Sequence, residues 1–189
     1  MKTMNIALIA TLILTGTLLA QEISNEEWRN MSRQERKEYK QKVAEANQLQ
    51  LMQVLTAKAW VLEAHTIQDR YGKSLPIEPT LNFVGVSGEY AAAQLGSSSE
   101  IGWNGVGGIT VEGKVAQYKI EEGKKPGTGA YIRIEISGLS AGHLSMSINT
   151  MADGTASATV SDNYGERLTY RGRIVPLAES TVFKGQVVY

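Results

Sequence analysis

Few side chains in this sequence stand at spacings that could carry out a reaction. His65 and His143 are its two histidines. Together with Glu63 or Asp69 they could supply the nitrogen and oxygen ligands of a zinc site. No H-x-H or H-E-x-x-H spacing brings them together, so the plain reading is one strand residue and one turn residue. Serines are plentiful, but no G-x-S-x-G elbow sharpens one into a nucleophile. Ser97-Ser98-Ser99-Glu100 reads as a flexible loop. Glu121 with Glu122, or Asp69 with Glu78, could serve glycoside hydrolysis in principle. With 19 acidic residues in the chain, such pairs are expected anywhere.

The stretch from Asn82 to Gly113 is rich in glycine and nearly free of charge. Within it, Gly105-Val106-Gly107-Gly108 suggests a phosphate loop. Such a loop needs G-x-G-x-x-G between a strand and a helix, where backbone amides and the helix dipole face the phosphates. Here Ile109-Thr110-Val111-Glu112 continues as strand, and no Gly-Lys-Ser/Thr follows. Glycines that let sheets bend and pack closely account for the pattern better. Trp103-Asn104-Gly105 is the candidate ligand-binding group. A tryptophan in a glycine loop can stack on a sugar ring or a partner surface while the amide fixes orientation. The competing reading folds Trp103 back as a plug for the open end of the β layers. Asn82 and Gln94 stand inside apolar strands and are expected to hydrogen-bond to glycine-loop backbone. The pattern predicts no catalytic group, no cofactor and no metal.

These residues must be positioned by a chain of 189 residues, enough for one domain with a real core. Lys plus Arg and Asp plus Glu are 19 each, so no net charge attracts nucleic acid at long range. Cysteine is absent, which removes disulfides, thiolate zinc and iron–sulfur clusters. Residues 1–20 read as a signal peptide. Lys2 gives the positive start, Ile6 to Leu19 the apolar run, and Ala20 the small residue at the cut. Export to the periplasm or beyond follows, with no membrane anchor left after cleavage. Residues 21–58 read as a helical spacer and 59–189 as an antiparallel β domain.

In the spacer, Ser24 with Glu27 and Ser32 with Glu35 have capping-box spacing. They predict a short turn and then a helix from about Arg33 to Ala57. Its first half, with Glu38 and Lys42 as an i, i+4 pair, is solvated; its second half packs. From Ala59 the period changes to two. Strands are expected from Ala59, over 80–87, 90–95, 109–121 with a bulge at Gly113, and from Ala130 through Pro176. Leu75 to Pro79 reads as extended connection, and 181–189 as a short closing strand. About eight strands at hairpin spacing predict a sandwich or an up-and-down barrel. The alternation ending at Tyr189 also suits a small outer-membrane barrel, against which stand few outward aromatics and the charged helix.

NFVGVSGEYAAAQLG from Asn82, WNGVGGITVEGKV from Trp103 and SDNYGERLTYRGRIVP from Ser161 together resemble a secreted Bacteroidetes family, domain of unknown function 4251. The resemblance runs from about Ala59 to Gly185. It implies an exported, mainly β domain behind a variable helical spacer, and no activity. The expectation is a non-catalytic envelope module for a small ligand, a glycan or a protein partner. The alternatives are an assembly protein acting through the helix, and a hydrolase using His65 or His143 with a carboxylate.

Overall fold

The computed structural model describes residues 25–97, 107–125, 127–138 and 142–185. The expected signal peptide lies outside the described residues. Two helices come first, α1 (Asn25–Asn30) and α2 (Arg33–Thr56). Ser32 and Glu35 form the expected capping box, with the Ser32 N–H donating to the Glu35 carboxylate at 2.7 Å and the Glu35 N–H to the Ser32 hydroxyl at 3.3 Å. The bond from the Ser32 backbone, more than its side chain, holds the Glu35 carboxyl below the usual range. Arg36 reaches back to the carbonyls of Trp28 and Arg29, which α1 leaves unpaired at its end. Glu38 accepts from the Gln34 amide one turn earlier rather than pairing with Lys42. In α2 the buried residues are Gln48, Leu51 and Leu55, a stripe in the second half of the helix.

Nine strands follow among the described residues: β1 (Ala59–Gln68), β2 (Ser74–Pro76), β3 (Phe83–Ser87), β4 (Tyr90–Leu95), β5 (Ile109–Glu122), β6 (Ala130–Gly138), β7 (Gly142–Thr150), β8 (Thr155–Asp162) and β9 (Arg167–Pro176). From β3 to β9 each strand pairs antiparallel with the next, and β9 returns to β1. Trp60 decides between sandwich and barrel: it pairs with Val86 of β3 on one side and Pro176 of β9 on the other. Eight strands therefore close into an up-and-down barrel, with β2 added beside the far end of β1.

Three local features differ from expectation. Leu75 and Pro76, read as connection, pair with β1. The bulge in β5 falls between Val115 and Gln117, while Gly113 sits in regular register opposite Ala91. Of the expected closing strand 181–189, residues 186–189 lie outside the described residues and Thr181 to Gly185 is not a strand: it crosses the outer face of β3 and β4, where Val182 packs on Val61, Phe83 and Ala92.

Period two sorts the side chains. On β6 and β7, Ile132, Ile134, Ile136, Leu144, Met146 and Ile148 point into the barrel and are buried. Their neighbours Arg133, Ser147 and Asn149 point outward. In a meander alternate connections gather at opposite ends, and α2 lies across the end that holds the β5–β6 and β7–β8 turns. Its Gln48 side chain donates to the Gly129 carbonyl and accepts from the Gly129 N–H, both at 2.9 Å. Leu51 and Leu55 join the barrel core beside Trp60. The Trp60 indole N–H donates to the Tyr118 hydroxyl at 2.9 Å, and that hydroxyl donates to the Leu55 carbonyl at 2.8 Å. The helix thus closes one end, with its buried polar groups satisfied.

Gly129 makes that closure possible. Its φ is +75°, and a Cβ there would overlap the Thr150 carbonyl. Gly88 in the β3–β4 turn also has positive φ, at +60°, but open space around it. We expect Gly129→Ala to cost about 3 kcal/mol or more in urea unfolding and Gly88→Ala about 1 kcal/mol. Equal losses would show that Gly129 is not a tight contact.

Candidate functional site

Among the described residues, the end of the barrel away from α2 encloses a hollow. Ala93 and Leu95 of β4, Val111 of β5 and Val160 of β8 wall a cavity of about 220 Å³. Ile109 of β5, Leu144 of β7 and Leu168 and Tyr170 of β9 complete it, with Asp162, Glu166 and Arg167 at the rim. The cause is side-chain size. An eight-stranded barrel has an interior that large side chains just fill. Toward the helix it receives Trp60, Leu55, Ile132 and Ile148; at this end alanine and valine leave space.

Tyr170 is the polar feature of this hollow. It is only 3% exposed, and its hydroxyl has no hydrogen-bond partner among the described residues. No buried side-chain oxygen or nitrogen there is both sealed from solvent and unpartnered. The hydroxyl therefore faces accessible space, and the hollow is the space that Tyr170 lines. Burial pushes its pKa well above the ordinary tyrosine range, so it stays a neutral O–H. The rim acids are engaged. The Asp162 carboxylate accepts from the N–H groups of Tyr164 and Glu166, and Glu166 pairs with Arg70 at 2.9 Å. Arg167 has no ion-pair partner among the described residues.

Trp103, Asn104 and Gly105 lie outside the described residues. They belong to the connection between Leu95 and Ile109, both of which line the cavity. At its end Gly108 packs so close to the Leu95 carbonyl that a Cβ would overlap it, and strand β5 begins at the next residue. Here glycine serves close backbone packing, with a strand rather than a helix after it.

The other candidates are dispersed. His65, at the β1 bulge, and His143, on β7, are exposed and separated by β8 and β9. No group of three or more metal-binding side chains occurs among the described residues. Glu63 accepts from Ser180 and Thr181, and Asp69 from the backbone of Tyr71 and Lys73. Glu121 is exposed, its carboxyl held low by a hydrogen bond from Lys119. Asn82 bonds the backbone of Gly96 as expected. Gln94 instead holds the C-terminal segment, donating to the Phe183 carbonyl and accepting from the Gly185 N–H, both at 2.8 Å.

A larger hollow of about 670 Å³ lies where Glu121, Lys124, Tyr131 and Arg171 line the barrel's outside. It is an open trough with charged side chains along it, and Arg171 already donates to Gln68. The smaller hollow combines apolar walls with one convergent polar group, the usual make-up of a ligand site. Sequence reasoning missed Tyr170, because nothing in β9 alone marks it off from Leu168 or Ile174.

Tyr118 is also pushed upward, by burial that outweighs the Trp60 hydrogen bond. Folded Tyr118 and Tyr170 keep their protons at a pH where the unfolded chain, with tyrosines near 10, has lost them. Their contribution is complete below pH about 10 and is lost as pH rises further. Urea midpoints should fall above pH about 10, less steeply in Tyr170→Phe. An unchanged slope in that variant would contradict a buried, neutral Tyr170.

A search of the curated proteins finds no match. Among solved structures, the chain is similar to the crystal structure of a DUF4251 family protein from Bacteroides eggerthii DSM 20697. The two are 27% identical with a TM-score of 0.56, over 76% of this chain and 96% of that one. Residues 42–174 match the family described as domain of unknown function (DUF4251). The match starts inside α2, so it includes the half of the helix that closes the barrel as well as most of the strands. This chain therefore belongs to the DUF4251 family.

Proposed function

We propose that this protein is an exported, non-catalytic binding module that takes a small, largely apolar ligand into the open end of its barrel. One observation carries the reading: a closed barrel sealed by α2 at one end keeps an apolar hollow at the other. Eight-stranded barrels of this size either fill their interior or hold one small ligand. The hollow is smaller than the roughly 300 Å³ at which drug-sized sites begin, so the ligand, or the part of it that enters, is small.

Export is supported by the leader-like residues 1–20. The mature chain is read as free of the membrane. No helix among the described residues is long and apolar enough to cross one. The outward positions of β6 to β9 also carry Arg133, Glu135, Asn149 and Arg171, which oppose lipid contact. Balanced charge argues against nucleic acid as partner. The dispersal of histidines and acids argues against hydrolysis. Assembly through the helix is limited to α1 and the first half of α2, because the second half is committed to the barrel.

Toluene tests the reading. Calorimetric titration should show binding to the wild type with a Kd on the order of 0.1–1 mM. Ala93→Phe, which places a ring in the hollow, should abolish binding and keep the fold. Absence of binding by wild type, or equal binding by the variant, would overturn the proposal.

A further inference from the structure

The polar group in the hollow restricts the ligand further. Resting on the binding reading above, we infer that the barrel recognises a neutral molecule whose hydrogen-bond acceptor, a ketone, ester or similar oxygen, takes the proton offered by the Tyr170 hydroxyl. Three observations converge. Tyr170 is buried yet unpartnered among the described residues. Its oxygen is not sealed by protein, and Tyr170 is one of the residues that line the hollow. The surrounding walls, Ala93, Val111, Val160 and Leu168, offer no second polar side chain.

A buried hydroxyl left without a partner is disfavoured, so a ligand that supplies an acceptor gains where a plain hydrocarbon does not. Charge is a different matter. A carboxylate entering this depth would exchange water for one neutral phenol, which is far too little compensation. A cation would meet a donor whose acidity burial suppresses, so no phenolate forms to pair with it. The rim carries Asp162 and Glu166 beside Arg167, so it presents both signs and selects neither. A neutral body with one acceptor at its inner end fits all of these constraints. Tyr170 is the specificity-determining residue, and the apolar walls supply most of the affinity.

The test compares acetophenone with α-methylstyrene, which replaces the ketone oxygen by a methylene in nearly the same shape, and with benzoate. Binding is followed by titrating the methyl signals of Val111 and Val160, which places the probe as well as weighing it. We expect acetophenone to bind on the order of tenfold more tightly than α-methylstyrene. Tyr170→Phe should erase that preference and leave α-methylstyrene binding intact, and benzoate should bind more weakly than acetophenone. Equal binding of ketone and hydrocarbon by wild type, both shifting Val111 and Val160, would overturn this inference and leave the binding reading standing. Tighter binding of benzoate would overturn it too, in favour of Arg167. If none of the probes shifts those methyls, both readings fall. Should Tyr170→Phe not fold, the wild-type ratio alone decides.

Discussion

Closure of the sheet is the constraint from which the rest of the molecule follows. Once β1 pairs with both β3 and β9, no free edge remains along the barrel and its interior width is set by strand number and tilt. The sequence can then vary only how that width is occupied. Isoleucines on β6 and β7, with Trp60 from β1, occupy it toward the helix. Ala93 on β4, Val111 on β5 and Val160 on β8 underfill it at the other end. Ala91-Ala92-Ala93 meets two demands at once, because Ala91 and Ala93 face inward while Ala92 lies under the C-terminal segment. Small side chains are needed on both faces of β4, which is why a stretch that also suits a helix is strand here.

Closing one end falls to α2, and hydrogen bonds as much as packing fix its place. Gln48 uses both ends of its amide on one residue, Gly129. Tyr118 joins the barrel wall to the last turn of the helix through Trp60 and Leu55. Leu51 and Leu55 supply the apolar contact but could slide along the core; the paired amide fixes register. The outer strap works the same way, with Gln94 and Glu63 holding a segment that has no ladder of its own.

What the sequence made legible was local. Bordering glycines placed β4 at its observed ends, and Ser32 with Glu35 placed the start of α2. What stayed hidden depended on partners distant in the chain. The β5 bulge lies at Ala116 because of how β6 pairs across it, so Gly113 was a false cue. Thr181 to Gly185 alternates like a strand, but apart from one backbone bond, from the Phe183 N–H to the Thr80 carbonyl, it is held by the side chains of Glu63 and Gln94. The hollow is made by Ala93, Val111, Leu144, Val160 and Tyr170, which come together only when five strands are brought around a closed barrel. No window of sequence contains that set. A tyrosine in an alternating strand looks like any core aromatic until its hydroxyl is found without a partner.

The central claim is that an apolar space able to take a small ligand exists at the end of the barrel opposite α2. Xenon enters such spaces and not hydrated ones. Crystals of the mature protein under xenon pressure should show one strong site between Val111, Val160 and Tyr170. Ordered water filling that space, or xenon bound only on the barrel exterior, would contradict the account.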